Sequence, residues 1–148
     1  MKHLRYNTRI DSSPEVVWNT LFSLPTYRVW TAEFCEGSTF EGSWEVGTRM
    51  RFFIPDGSGM VSVIAENRPH RFLSIRHVGL LKEGVEVTDS EEAAVWVPAH
   101  ESYTLSPAGP STDLTVDVDA PEDFVEFMED TWPRALAKLK ALSEAGPA

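Results

Sequence analysis

Leu4, Tyr6, Thr8 and Ile10 alternate with His3, Arg5, Asn7 and Arg9, a period of two that predicts a strand over residues 3–10 with one buried face. The period then changes. In SSPEVVWNTLF, Val17, Trp18, Leu21 and Phe22 stand at spacings that gather them on one face of a helix over residues 13–22. Ser12 lies three residues before Glu15, as in a capping box, and Pro14 sits in the first turn, where its missing N–H costs nothing. Leu24-Pro25 breaks this helix, and TYRVW, with Tyr27 and Trp30, has room for one more short one. From Ser38 to about Leu80 short strands return, at 40–44, 48–54, 60–66 and 72–78, separated by PDGSG and NRPH. Residues 82–92 read as a long polar loop, and strands at 102–105 and 112–119 complete an antiparallel meander. Finally Phe124, Met128, Thr131, Ala135, Leu139 and Leu142 form a helical stripe, widened by Phe127, Trp132 and Leu136, over residues 121–144. Pro133 inside that stripe predicts a kink near Glu129–Trp132, and Gly146 and Pro147 are expected to end the helix.

One strand, two short helices, six more strands and a long helix describe an α+β domain whose sheet is covered on one side by the last helix. The start of that helix is aromatic. A curved sheet gripping such a helix leaves a gap, and a concave apolar gap with a few polar groups is the usual form of a small-molecule site. No repeat or linker interrupts residues 1–148, so a single domain is expected.

Composition narrows the chemistry. The 148 residues are 42% hydrophobic and 24% charged, enough for one core without staples. The single cysteine, Cys35, forms no intramolecular disulfide, and its acidic neighbours Glu33 and Glu36 disfavour a thiolate. His3, His70, His77 and His100 have no metal-ligand spacing, so neither a metal nor a cofactor is expected. The N-terminus lacks a secretory apolar run, and no stretch approaches the roughly 18 apolar residues of a membrane span; a cytoplasmic protein is expected. A net charge of −10 without a basic cluster argues against nucleic acid and anionic membrane as partners. Residues 82–92 hold five acids and residues 117–130 hold seven, which reads as a solvated loop and a solvated helix face. Where such tracts flank a cavity mouth, they repel an anionic ligand and admit a neutral or cationic apolar one.

SSPEVVWNTLFSLPTYRVWT resembles the opening of the activator-of-Hsp90-ATPase-like branch of the START/Bet v 1-like (SRPBCC) superfamily, through Pro14, Val17, Trp18, Trp30 and Thr31. The resemblance continues through GSTFEGSWEVGTRMRF, PDGSGM, FLSIRHVG, ESYTL, TDLTVDVD and TWPRALAKLK, essentially the whole chain. It implies a helix-grip fold, a seven-stranded antiparallel sheet wrapped around a long C-terminal helix with a hydrophobic cavity between them. It implies little about chemistry, since members include ligand carriers, cyclases and domains of chaperone activators.

The candidate lining residues are Trp30, Phe40, Phe52, Tyr103, Phe124 and Met128, drawn from an aromatic set larger than a core needs to close. Period two places His77 on the face of Leu73 and Ile75, and Glu101 on the face of Tyr103 and Leu105. Two readings of that pair stand side by side. Pointing into an apolar gap, the two serve as general acid and base of a cyclase- or hydrolase-like enzyme, with Tyr103 orienting the substrate. At the sheet rim, Glu101 instead pairs with Arg49, Arg51 or Arg76. Ser62, Ser74 and Ser102 have no triad spacing, and GSGM lacks the Lys-Ser/Thr of a phosphate loop. The expected function is therefore binding of a small hydrophobic molecule. A homodimer through a free strand edge, and an Hsp90-type chaperone partner, are alternatives; the full activators carry a further N-terminal domain for which 148 residues leave no room.

Overall fold

The computed structural model describes residues 1–145, so Gly146 and Pro147 lie outside the described residues. Strand β1 (Lys2–Ile10) leads into helices α1 (Pro14–Phe22) and α2 (Leu24–Trp30) and a 3₁₀ turn at Thr31–Glu33. Strands β2 (Thr39–Glu41), β3 (Arg49–Phe53), β4 (Gly59–Arg68), β5 (Phe72–Lys82) and β6 (Val85–Val87) follow, then helix α3 (Glu91–Ala94). Strands β7 (His100–Ala108) and β8 (Ser111–Ala120), a 3₁₀ turn at Glu122–Phe124 and helix α4 (Val125–Glu144) complete the chain. The strands form one antiparallel sheet in the order β1-β8-β7-β5-β4-β3-β2. With the long C-terminal helix against it, this is the helix-grip arrangement, with details that depart from the sequence expectation.

An eighth strand, β6, stands where a polar loop is expected. Glu83 and Gly84 both take positive φ, 50° and 80°, which lets a two-residue turn fold Val85 and Val87 back against β5. The first helix is capped one residue later than expected. Ser13, not Ser12, accepts the Val16 N–H (3.3 Å), and this places Pro14 at the first helical position and removes the box with Glu15. The acidic residues of β8 are not simply solvated either. Arg5 and Arg9 stand directly opposite Asp117 and Asp113 and bond them at 2.7 and 2.8 Å, while His3 bridges Asp117 and Asp119 at 3.0 and 3.1 Å. Such exposed pairs add little stability singly, but they fix the register of β1 on β8.

The core lies between the sheet and the three main helices. Ile10, Leu73, Ile75, Leu105, Leu114 and Val116 meet Val17, Leu21 and Trp30 from α1 and α2, and Ala135, Leu136 and Leu139 from α4. Helix α4 runs unbroken through Pro133, whose position leaves the carbonyl of exposed Glu129 to solvent. Its burial is uneven: Thr131, Trp132, Ala135, Leu136, Leu139 and Ser143 are buried, whereas no residue of 125–130 is. The second half therefore carries the packing against the sheet, and the first half contributes only half-buried side chains such as Val125 and Met128.

Candidate functional site

Two chambers adjoin the first half of α4. One, of about 150 Å³, is walled by Tyr27, Trp30, Thr31 and Phe34 around α2, by Glu101 and Tyr103 on β7, and by Met128 and Trp132 on α4. The other, of about 170 Å³, is walled by Phe52, Met60, Ile75, His77 and Trp96. Tyr27, Glu101 and Met128 belong to both walls and form the waist between them. No lysine or arginine lines either chamber. A separate hollow of about 210 Å³ among the turns after β3 and β5 has no contact with the helices, and its Arg51 is held by Glu86 at 2.8 Å.

The aromatic wall is rigid because its members hold one another. The Trp30 Nε1–H donates to the Leu21 carbonyl at 3.2 Å, and its ring packs on Tyr27, Tyr103 and Trp132. Phe34 meets Trp132 edge-on with ring centres 4.8 Å apart. Thr31 ties down the start of this wall through its hydroxyl, which donates to the Tyr27 carbonyl.

At the waist, the Tyr103 hydroxyl donates to Oε2 of Glu101 at 2.5 Å. Glu101 makes no ion pair among the described residues. Of the three partners considered from sequence, Arg49 and Arg51 both clamp Glu86, at 2.6 and 2.8 Å, and Arg76 is exposed and makes no ion pair with Glu101. Burial pushes the Glu101 carboxyl above its usual range, and the Tyr103 bond offsets this only in part. Burial, reinforced by the nearby Glu101, also raises the hydroxyls of Tyr27 and Tyr103, so both remain protonated hydrogen-bond donors.

His77 does not bond Glu101. Its Nδ1 shares a hydrogen bond of 2.7 Å with Ser62 Oγ on β4, where the β4–β5 register slips beside Val61/Ser62. Ser62 is fully buried and lines neither chamber, so this hydroxyl–imidazole contact offers a substrate no nucleophile. Burial lowers the His77 pKa from the ordinary 6.5 to about 4, helped by His100 and opposed by Asp119. A histidine kept neutral in the fold contributes its full stability above pH 6.5 and loses it as pH falls toward 4, because the unfolded chain then binds a proton that the folded chain does not. Between pH 7 and pH 5 this amounts to about 2 kcal/mol. Glu101 acts with the opposite sign, its raised pKa favouring the fold at the lower pH. The quantity to measure is therefore the difference between the chain and its His77→Asn variant in urea titrations at the two pH values. Equal pH slopes would contradict the neutral, buried imidazole.

The residues singled out from sequence are dispersed unevenly about these chambers. Trp30 and Tyr103 face the first, Phe52 and His77 the second, and Glu101 and Met128 both. Phe40 packs on Tyr27 and Trp44, with ring centres 4.9 Å from each, and so stands behind the wall. Phe124 is 42% exposed and stacks on Trp96 at 4.9 Å, outside the second chamber. Tyr27, absent from the expected lining, occupies the waist. Its i, i+3 spacing to Trp30 on α2 was the signal for it. Met60 is another addition: it sits directly opposite Phe52 across β3 and β4.

The fold recurs in solved structures of low sequence identity. Protein MLL2253 from Mesorhizobium loti is 16% identical, with a TM-score of 0.76 over 99% of this chain and 100% of its own. The Aha1 dimer from Colwellia psychrerythraea is 18% identical, with a TM-score of 0.74 over the whole of both chains. CalU16 from Micromonospora echinospora is 17% identical, with a TM-score of 0.67 over 95% of this chain and 75% of its own. No family model and no curated protein matches the sequence. At these identities the likeness shows the fold alone, an antiparallel sheet gripping a long C-terminal helix, and leaves function to the site. No helix among the described residues is long and apolar enough to cross a membrane.

Proposed function

We propose that this chain is a small-molecule binding domain that takes an apolar or aromatic ligand between the sheet and the first half of α4. The observation that carries this reading is the pair of aromatic-walled chambers meeting at Tyr27, Glu101 and Met128. A dry apolar cavity of about 150 Å³ accommodates benzene, so each chamber has the size of one ring, and the two together reach the lower bound of ordinary ligand pockets, about 300 Å³. Binding is favoured over catalysis because His77 and Glu101 engage different partners and do not form an acid–base pair.

Met128 at the waist supplies the test. Met128→Trp sets a bulkier ring at the waist between the chambers from a half-buried position and is expected to weaken binding of the neutral apolar dye Nile red by about tenfold or more, with little loss of thermal stability. Dye binding that is absent from the parent protein, or indifferent to this change, contradicts the reading. Placement in the activator-of-Hsp90-ATPase-like branch is a finer proposal, supported by Pro14, Val17, Trp18, Trp30 and Thr31 and by the likeness to Aha1. A homodimer like that of the Colwellia protein is proposed on the same likeness. Sedimentation of the purified chain and an Hsp90 ATPase assay test the two.

A further inference from the structure

We propose that Glu101 and the aromatic walls around it recognise an organic ammonium ion whose apolar body lies in the neighbouring chamber. This rests on the binding reading above and names the ligand class. Its starting point is an imbalance. A carboxyl group has been carried into an apolar gap, yet no cation accompanies it: neither chamber is lined by lysine or arginine, Arg49 and Arg51 are both committed to Glu86, and Arg76 is exposed. Only Oε2 of half-buried Glu101 is bonded, by the Tyr103 hydroxyl; among the described residues no donor reaches the other oxygen, which keeps contact with solvent at the open side of the gap. A carboxylate partly withdrawn from water without a counter-charge is disfavoured, and a ligand cation with good geometry offsets part of that cost.

The walls favour the same charge. Tyr27, Trp30, Phe34, Tyr103 and Trp132 surround the first chamber, and their ring faces carry the negative end of the aromatic quadrupole. A desolvated cation is attracted to such faces, and an anion is repelled. The approach agrees with the interior. At the exposed start of α4, Glu122, Asp123 and Glu126 stand among the exposed rings of Phe124 and Phe127. Phe124 stacks on Trp96 of the second chamber, and Phe127 lies 6.4 Å from Phe34 of the first. Negative charge set among aromatic surface draws in an apolar cation over its neutral or anionic counterpart. The titratable groups facing Glu101 are Tyr103 on β7, Tyr27 on α2 and His77 on β5, whereas α4 presents only Met128 and Trp132. With the tyrosines and the histidine uncharged at neutral pH, the charge of the site is set by Glu101 alone.

Benzyltrimethylammonium and its uncharged carbon isostere, neopentylbenzene, separate charge from shape. Competing against Nile red, the ammonium is expected to bind about tenfold or more tighter than the isostere. In Glu101→Gln, which keeps the shape and an acceptor for Tyr103, that advantage should vanish while the isostere binds within about twofold of its parent affinity. An isostere that matches or exceeds the ammonium in the parent protein overturns the ammonium proposal and leaves the cavity reading standing. An ammonium preference that survives Glu101→Gln overturns the role of this carboxyl. Failure of Nile red itself to bind the parent protein removes the cavity reading, and this proposal with it.

Discussion

Alanine in place of Trp30 is expected to cost about 3–5 kcal/mol of folding stability, the largest loss from any single truncation of this wall. Trp30 is 1% exposed and joins four elements at once. Its ring packs on Tyr27 in α2, Tyr103 in β7 and Trp132 in α4, and its N–H satisfies the Leu21 carbonyl in α1. Truncation removes that packing, leaves a buried carbonyl unpaired and enlarges a gap that is already about 150 Å³. For a chain of this size the midpoint of thermal unfolding should fall by roughly 10 °C or more. Trp30→Phe retains most of the ring contacts and should lose less than half as much. Urea titration of both variants makes the comparison. A loss below about 1 kcal/mol for the alanine variant would mean that the surrounding rings collapse into the space, and that the chambers are not rigid.

The second large effect comes from a residue with no side chain. A Cβ added to Gly59 would lie 1.8 Å from the Phe52 carbonyl oxygen and 2.7 Å from the Phe53 Cα, both backbone atoms that cannot swing aside. Gly59 stands directly opposite Phe53 at the start of β4, so the clash is relieved only by separating β3 from β4. Gly59→Ala should therefore cost about 3 kcal/mol, the upper end of ordinary overpacking. It should also abolish Nile red binding, because Phe52 and Met60, which line the second chamber, are carried by those two strands. Gly47 provides the contrast: a Cβ there meets nothing within 4 Å, and only its φ of +86° opposes substitution. Equal stability losses for Gly59→Ala and Gly47→Ala would contradict the steric argument.

Much of the architecture was legible because it depends on periodicity. The alternation of Leu4, Tyr6, Thr8 and Ile10 and the stripe through Ala135 and Leu139 each follow from one element burying one face, and both ranges agree with the structure to within a few residues. Features governed by single-residue geometry were less visible. A cap at Ser13 and at Ser12 differ by one residue in the same Ser-Ser pair, and the β5–β6 turn hinges on a positive φ at Glu83, a residue with no general preference for it. The helical stripe was carried back to Phe124, but that residue lies in a 3₁₀ turn before α4, where the 3.6-residue period no longer applies. At the site, period two correctly put Glu101 and Tyr103 on one face, close enough to bond. The choice of partner was hidden. Ser62 meets His77 only because the register slips by a residue between β4 and β5, and Glu86 removes Arg49 and Arg51 from contention only because β6 exists.

The uneven seating of α4 has a dynamic consequence. Its second half is anchored by Ala135, Leu136 and Leu139, whereas residues 125–130 bury no side chain fully. Local opening free energy follows buried apolar contact, so the first turns of α4 fray at far lower cost than the remainder. The helix is anchored through its second half, while its first turns lie beside the chambers and are held at their start by the 3₁₀ turn that follows buried Ala120 and Pro121. On the binding reading proposed above, a ligand exchanges through brief opening of those turns while the sheet and the second half of the helix stay folded, which uncouples the rate of exchange from the global stability of the domain.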